Sequence, residues 1–106
     1  MTNIFYWHLV ELSPLKNELL SRGIENPDLA EIVDHVEEII HHRTLSLVFD
    51  NLPPEHHREF SLRLAKNPRD PEIWEFLHQK IKKDLSISIE ENIRLVISEI
   101  LSELDA

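Results

Sequence analysis

Apolar side chains recur every three or four residues along two long stretches of this chain, the spacing of one face of an α-helix. Residues 27–50 and residues 89–104 show this pattern and are predicted to form the two longest helices. The first apolar stripe consists of Leu29, Ile32, Val33, Val36, Ile40, Arg43 and Leu47. The second consists of Ile89, Ile93, Val96, Ile97, Ile100, Leu101 and Leu104. Three apolar residues after Thr44 are predicted to point away from the first stripe, namely Leu45, Val48 and Phe49.

Prolines mark the corners between the predicted helices. A proline lacks a backbone donor and disfavours helical geometry in the residue before it, so Pro53 and Pro68 are predicted to end helices. Proline is well tolerated in the first helical turn, where its missing N–H would have no partner. Asp70 is therefore predicted to cap a helix that begins with Pro71, and Asn26 is predicted to cap the long helix in the same way.

Two further local signals predict helix ends. Gly23 follows a short amphipathic stretch and can take the left-handed backbone conformation that ends many helices. Ser88 and Glu91 have the spacing of a capping box, in which each side chain bonds the backbone amide of the other residue. The last helix is therefore expected to begin at about residue 89.

The segment from residue 3 to residue 12 is apolar on every side, whether it is wound as a helix or extended as a strand. Such a segment must be buried centrally or covered by a partner. Its aromatic and β-branched residues also suit a strand, and residues 85–89 alternate well enough to pair with it. A short helix is favoured, because the surrounding elements are helical and an isolated two-stranded ribbon is only marginally stable.

These signals predict an all-α fold, a compact bundle of five or six short-to-medium helices in a single domain spanning residues 1–106. The predicted helices cover residues 4–12, 14–22, 27–50, 54–66, 71–83 and 89–104.

Composition excludes several classes of protein. The 106 residues include no Cys, which removes disulfides, thiolate nucleophiles and Cys-based zinc sites. No apolar run approaches the roughly 18 to 20 residues of a membrane span, and no basic flank precedes the apolar N-terminal stretch, so a cytoplasmic protein without membrane contact is expected. The formal charge of −9 repels phosphate backbones, so direct binding of nucleic acid is not expected.

Seven His residues and two Glu-x-x-His motifs, Glu38 to His41 and Glu75 to His78, raise the question of a metal site. Di-iron sites in helical bundles use this motif, with the ligands pointing into the core. On a helical projection at about 100° per residue, three of these four side chains lie outside the apolar faces. No metal or cofactor is therefore expected, and a metal-binding helical-bundle enzyme is the least favoured of the alternatives.

Catalysis has little support in the sequence, and the chain is not expected to be an enzyme. Without Cys, the nucleophile would have to be Ser, Thr, Lys or a carboxylate; Ser13, Ser21 and Ser88 stand at predicted helix ends, and Ser86 stands in a connection. Arg43 is unusual because it lies on an apolar stripe with no acidic residue three or four positions away. Its guanidinium is expected to need a carboxylate from another element or from a partner.

The apolar surface exceeds what short helices are expected to bury among themselves, which favours a protein partner or a homo-oligomer. Large aromatic and aliphatic side chains supply most binding energy at interfaces. The residues predicted to form an interface are Trp7, Phe49, Trp74, Ile97 and Leu101.

An alternative function is suggested by acidic residues on the outer face of the long helix. Carboxylates in a row suit an inhibitor or immunity-type protein that blocks the basic site of a nuclease or nucleic-acid-binding partner. The residues predicted to form this acidic face are Glu31, Asp34, Glu37 and Glu38.

The order of features between Leu29 and Leu104 resembles a group of small, acidic, all-helical bacterial domains of unknown function. The resemblance rests on Arg43-Thr-Leu-Ser-Leu at the end of the long helix, Leu52-Pro-Pro-Glu55, Glu59-Phe60, the Asp70-Pro71 start followed by Trp74 and Phe76-Leu77, and the Ile-rich last helix. It implies a cytoplasmic helical domain of bacterial type. It implies no activity and no catalytic residue.

Overall fold

A computed structural model describes residues 4–105, and within this range the chain forms five α-helices and no strand. The all-α fold predicted from the sequence is therefore confirmed. The helices are α1 (Ser13–Ser21), α2 (Asp28–Asn51), α3 (His57–Lys66), α4 (Pro71–Lys80) and α5 (Leu85–Asp105), with single 3-10 turns at Trp7–Leu9 and Pro54–His56.

The two longest helices, α2 and α5, run antiparallel and form the spine of the fold. Asp50 near the end of α2 lies beside Asn92 near the start of α5, and Glu31 near the start of α2 lies beside Glu103 near the end of α5. The 24 residues of α2 span about 36 Å at 1.5 Å per residue, so this helix accounts for most of the 47 Å long axis of the molecule.

The buried stripe of α2 differs from the predicted one in its second half. Val48 is fully buried and continues the inner face, although it was predicted to point away. Thr44, with a hydroxyl that an apolar pattern does not count, occupies the intervening turn and is also fully buried. Arg43 and Leu47 lie on the flank of this face. The stripe consists of Val33, Val36, Ile40, Thr44 and Val48.

Arg43 finds its carboxylate on another helix, as predicted. Its Nη2 atom lies 2.8 Å from Oε2 of Glu99 on α5. Both side chains are more than two-fifths exposed, so the pair adds at most about 1 kcal/mol to the stability of the fold.

The helix α1 closes one end of the spine. Its buried residues, Leu15 and Leu19, face the core, and Gly23 follows the helix with φ of 82°, the left-handed conformation predicted for it. Arg22 forms ion pairs with Glu18 on its own helix and with Asp105 at the end of α5.

The helices α3 and α4 pack together at the other end of the spine. Phe60 of α3 is fully buried, with its ring 5.2 Å from that of Phe49 on α2. The guanidinium of Arg63 lies 5.0 Å from the centre of the Phe76 ring on α4, so the two helices also share a cation–π contact.

Three predicted helix ends need correction. Asn26 makes no capping bond to α2, whose N-cap position is Pro27. The helix α4 ends at Lys80 instead of residue 83. The helix α5 begins at Leu85, so Ser88 is inside it and the predicted capping box does not form. Asp84 caps this helix instead, because its carboxylate accepts a hydrogen bond from the backbone amide of Ser86 at 3.1 Å.

Other predicted ends are confirmed. The side chain of Asp70 accepts a hydrogen bond of 3.0 Å from the backbone amide of Glu72, the N-cap interaction expected ahead of Pro71. Pro53 and Pro68 follow the ends of α2 and α3, as their backbone chemistry requires. Within residues 4–105, none of the helices has the length and apolar character needed to cross a membrane.

Two substitutions on α3 should separate core packing from surface effects. Phe60→Ala should lower the free energy of unfolding by about 3 to 5 kcal/mol, because it leaves a cavity among packed rings. Leu62→Ala should change it by less than about 0.5 kcal/mol, because Leu62 is 60% exposed. Urea unfolding followed by circular dichroism measures both. Equal losses for the two variants would contradict this assignment of the inner face of α3.

Candidate functional site

The N-terminal segment, defined here as residues 4–10, contacts α2, α3, α4 and α5 and contributes to the candidate site. It forms neither the predicted helix over residues 4–12 nor the strand considered as its alternative; its only helical element is the 3-10 turn at Trp7–Leu9. Residues 85–89, the proposed strand partner, begin α5. Burial, one of the two outcomes expected for this apolar segment, is found for Ile4, Phe5 and Tyr6, which are at most 7% exposed, whereas Trp7, Leu9 and Val10 are half-buried.

The side chains of this segment contact three different helices. The ring of Phe5 lies 6.0 Å from Phe60 on α3 and 5.9 Å from Trp74 on α4. Tyr6 points to α2, where its hydroxyl lies 3.1 Å from Nδ1 of His41. The backbone amide of Phe5 donates a hydrogen bond of 2.7 Å to the carbonyl of Pro68, a contact outside any helix.

A groove of about 390 Å³ lies between the N-terminal segment and the outer face of α2. One wall is apolar and aromatic, and the other carries three carboxylates and two imidazoles. We call it the acidic groove. It is lined by Ile4, Tyr6, Trp7, Asp34, Glu37, Glu38, His41 and His42.

The carboxylates of the acidic groove have no basic partner in the described part of the chain. No Lys or Arg from residues 4–105 lies within ion-pair distance of Asp34, Glu37 or Glu38. The sequence contains no Lys or Arg between residues 28 and 42. The three side chains therefore give the groove a concentrated negative charge. Glu31, the fourth residue of the predicted acidic face, lies outside this groove and lines a shallow cleft with Glu103 of α5.

The Tyr6 and His41 pair forms the floor of the acidic groove and stays uncharged near neutral pH. Burial and the negative charge of Glu37 raise the pKa of Tyr6 to about 12. Burial, followed by the neighbouring His42, lowers the pKa of His41. Both shifts have the sign expected when desolvation disfavours the charged form.

A second groove, of about 660 Å³, lies on the other side of the N-terminal segment. It contains both tryptophans of the chain, Trp7 and Trp74. We call it the tryptophan groove. It is lined by Ile4, Phe5, Trp7, His8, Arg69, Pro71, Trp74 and Glu75.

The two grooves meet at the N-terminal segment, since Ile4 and Trp7 line both of them. The half-buried indole of Trp7 therefore stands between a negatively charged groove and an aromatic one. We refer to the two grooves together as the Trp7 surface. It contains five of the nine residues predicted for the two binding faces: Trp7, Trp74, Asp34, Glu37 and Glu38.

The remaining predicted interface residues lie elsewhere. Phe49 packs against the rings of His57 and Phe60. Ile97 lines a separate cleft with Leu9, and Leu101 packs on the core near α1. All three are half-buried. Sequence reasoning missed Tyr6 and Ile4 as parts of the site. The all-round apolar character of their segment was the feature that could have indicated them.

The Glu-x-x-His motifs do not form one centre. Glu38 and His41 line the acidic groove, whereas Glu75 lines the tryptophan groove and the ring of His78 packs 4.9 Å from Trp74. Among residues 4–105, no three His, Asp or Glu side chains are grouped so that they could hold a metal ion. His57 is satisfied structurally, because its Nε2–H donates a 2.7 Å hydrogen bond to the carbonyl of Leu52.

No protein family, characterised protein or solved structure was found to match this chain. The resemblance to small acidic bacterial domains therefore stays a prediction.

The ionisation of Tyr6 provides a direct test of the acidic groove, because Tyr6 is the single Tyr of the chain. The ultraviolet absorbance of the phenolate should give a pKa of about 12. Glu37→Gln should lower this pKa, since one of its two causes is removed, whereas Glu91→Gln, an exposed position on α5, should leave it unchanged. The folded state binds the phenolic proton more tightly than the unfolded state, so stability should fall as pH rises through this pKa.

Circular dichroism over the same pH range must accompany the titration, so that ionisation is separated from alkaline unfolding. A wild-type pKa near 10 in the folded protein would contradict the burial of Tyr6 beside Glu37.

Proposed function

We propose that this chain is a non-enzymatic protein-interaction module and that the Trp7 surface binds a basic segment of a protein partner. The observation that carries the proposal is that Trp7 forms a wall of both grooves while Asp34, Glu37 and Glu38 have no basic partner from residues 4–105. A bacterial cytoplasmic setting belongs to the same proposal and is supported by the resemblance of the sequence pattern.

The tryptophans support a binding role because of their chemistry. Trp is the residue most enriched among side chains that dominate interface energetics, especially where it is flanked by groups that exclude water. Its ring also attracts a cation held over its face. Trp7 and Trp74 are half-buried, so each is held in place by core contacts while part of its ring lines the groove.

The carboxylates support a basic partner. Asp34 and Glu38 are one helical turn apart, so they repel each other, and Glu37 stands between them on the same wall. A Lys or Arg side chain in the acidic groove would relieve this repulsion and would place its aliphatic stem against Trp7. Charge complementarity of this kind raises association rates and selects against acidic partners.

The test uses a short synthetic amphipathic peptide of Lys, Arg and Leu, with a control peptide in which Glu replaces every Lys and Arg. We expect the basic peptide to bind and the acidic peptide not to bind, as measured by calorimetry. Trp7→Ala should weaken binding about tenfold or more, equivalent to about 1.4 kcal/mol or more. Leu95→Ala is the matched control, because Leu95 is 54% exposed and lies outside both grooves.

Circular dichroism should show that both variants are folded before their affinities are compared. Equal affinity for the two peptides, or equal loss in the two variants, would refute binding at the Trp7 surface.

A second candidate function is the inhibitor or immunity-type protein suggested by the acidic face. It is favoured by the convergence of Asp34, Glu37 and Glu38 in one groove, which could occupy a site that otherwise binds phosphate groups. The partner of such a protein should be captured from a bacterial lysate at low salt, should leave at high salt, and should lose nuclease activity or nucleic-acid binding in the complex. Glu37→Gln with Glu38→Gln should abolish capture. A captured partner that keeps its full activity would exclude inhibition.

A further inference from the structure

The charges of this chain are unevenly distributed along its long axis. Residues 57–83, which include α3 and α4, hold seven Lys and Arg against four Asp and Glu, a formal charge of +3. The rest of the chain holds four Lys and Arg against sixteen Asp and Glu, a formal charge of −12. The basic part lies at one end of the α2 and α5 spine. The acidic groove lies along the middle of α2, between Asp34 and His42.

The outer face of α3 presents the most distinctive surface of the basic part. Arg58, Leu62 and Lys66 follow one another at intervals of four residues, so they lie along one face of the helix. All three are exposed, and Leu62, at 60%, is the most exposed large apolar side chain within residues 4–105. We call these three residues the α3 ridge.

The α3 ridge differs from the other exposed apolar positions in the charges that flank its apolar residue. Within residues 4–105, Leu62 alone of the large exposed apolar residues has a Lys or Arg both four positions before and four positions after it. Neither Arg58 nor Lys66 forms an ion pair with a residue of the described range. The nearby Glu59 is occupied by Arg63, at 2.9 Å. The ridge thus combines an apolar centre with two free cations.

The α3 ridge is opposite in charge to the acidic groove. Arg58 and Lys66 are about 12 Å apart along the axis of α3, and the groove carboxylates from Asp34 to Glu38 extend about 6 Å along α2, so the long side chains of Arg58 and Lys66 must converge to reach them. The apolar centre of the ridge corresponds to Trp7, which lies beside the carboxylates. Leu62 points away from the protein, whereas Phe60 of the same helix packs toward Phe5. The ridge therefore cannot reach the Trp7 surface of its own chain.

We propose that the Trp7 surface binds the α3 ridge of a second copy of this chain. Leu62 packs against Trp7, and Arg58 and Lys66 pair with the carboxylates of the acidic groove. This inference rests on the proposed function and names the partner. The two surfaces are different, so the contact is head-to-tail and leaves one free surface of each kind on a pair of molecules. Repulsion between two copies of charge −9 is largely screened beyond about 10 Å at 0.1 M salt, so local complementarity governs the contact.

Analytical ultracentrifugation of the full chain at 0.1 M salt tests this inference. Wild type should associate with increasing concentration and should dissociate at 1 M salt, where the Debye length is about 3 Å. Two double variants should each weaken self-association about tenfold or more: Glu37→Gln with Glu38→Gln, and Arg58→Gln with Lys66→Gln. Their controls change the same number of charges elsewhere: Glu90→Gln with Glu91→Gln, and Lys82→Gln with Lys83→Gln.

Mixing the two disabled variants is the decisive measurement. Each retains the surface that the other has lost, so an equimolar mixture should form a one-to-one dimer and nothing larger. Wild type that stays monomeric, variants that associate like their controls, or a mixture that forms no dimer would each overturn the inference. Binding of the basic peptide at the Trp7 surface would still support the proposed function in those cases, so the two failures can be told apart.

Discussion

The fold depends on contacts that the N-terminal segment makes with both the α3 and α4 pair and the α2 and α5 spine. Phe5 packs against Phe60 and Trp74, and its backbone amide is bonded to the carbonyl of Pro68, so this residue contacts α3, α4 and the corner between them. Tyr6, the next residue, is bonded to His41 on α2. Two adjacent side chains thus join the α3 and α4 pair to the spine. Trp7, the next residue, lines the grooves on both sides of this junction, so the Trp7 surface forms where the N-terminal segment joins the helices.

The acidic wall of the site has an energetic cost within the free protein. Carboxylates near the start of a helix favour its dipole, which accounts for Asp28 and Glu31 at the beginning of α2. Asp34 and Glu38 lie beyond the first turn, where that stabilisation has faded and their mutual repulsion remains. Glu37 adds to it and also disfavours ionisation of Tyr6. These like charges on one wall of the groove therefore do not add to the stability of α2.

Much of the fold could be predicted from the sequence because its corners have local causes. Pro53 and Pro68 act through their own backbone chemistry, and the Asp70 side chain accepts from an amide only two residues away, so all three effects are local. The start of α5 was misplaced because Ser88 offered a plausible cap, whereas Asp84 forms one a full turn earlier. The secondary structure predicted for the N-terminal segment was wrong for a different reason. Its conformation is set by the positions of α2, α3 and α4, and these positions are not encoded within the segment itself.

The same distinction applies to the site. The alignment of Asp34, Glu37 and Glu38 follows from helical spacing and was predicted. The meeting of Trp7 and Trp74 depends on how the N-terminal segment crosses α4, which no local pattern gives. Phe49, Ile97 and Leu101 were ranked as interface residues because the apolar stripes looked wider than one helix could cover. In the structure, neighbouring rings and the N-terminal segment cover much of that width.

The floor of the acidic groove affects how the charge of the groove responds to solution conditions. The raised pKa of Tyr6 and the lowered pKa of His41 keep both groups uncharged around neutral pH. This pair therefore neither neutralises nor adds to the charge of the three carboxylates. A cation in the groove interacts with carboxylates that border an apolar wall, where screening by salt is weaker than on an open surface but still substantial. The strength of the contact should accordingly follow ionic strength more closely than it follows the protonation of the Tyr6 and His41 pair.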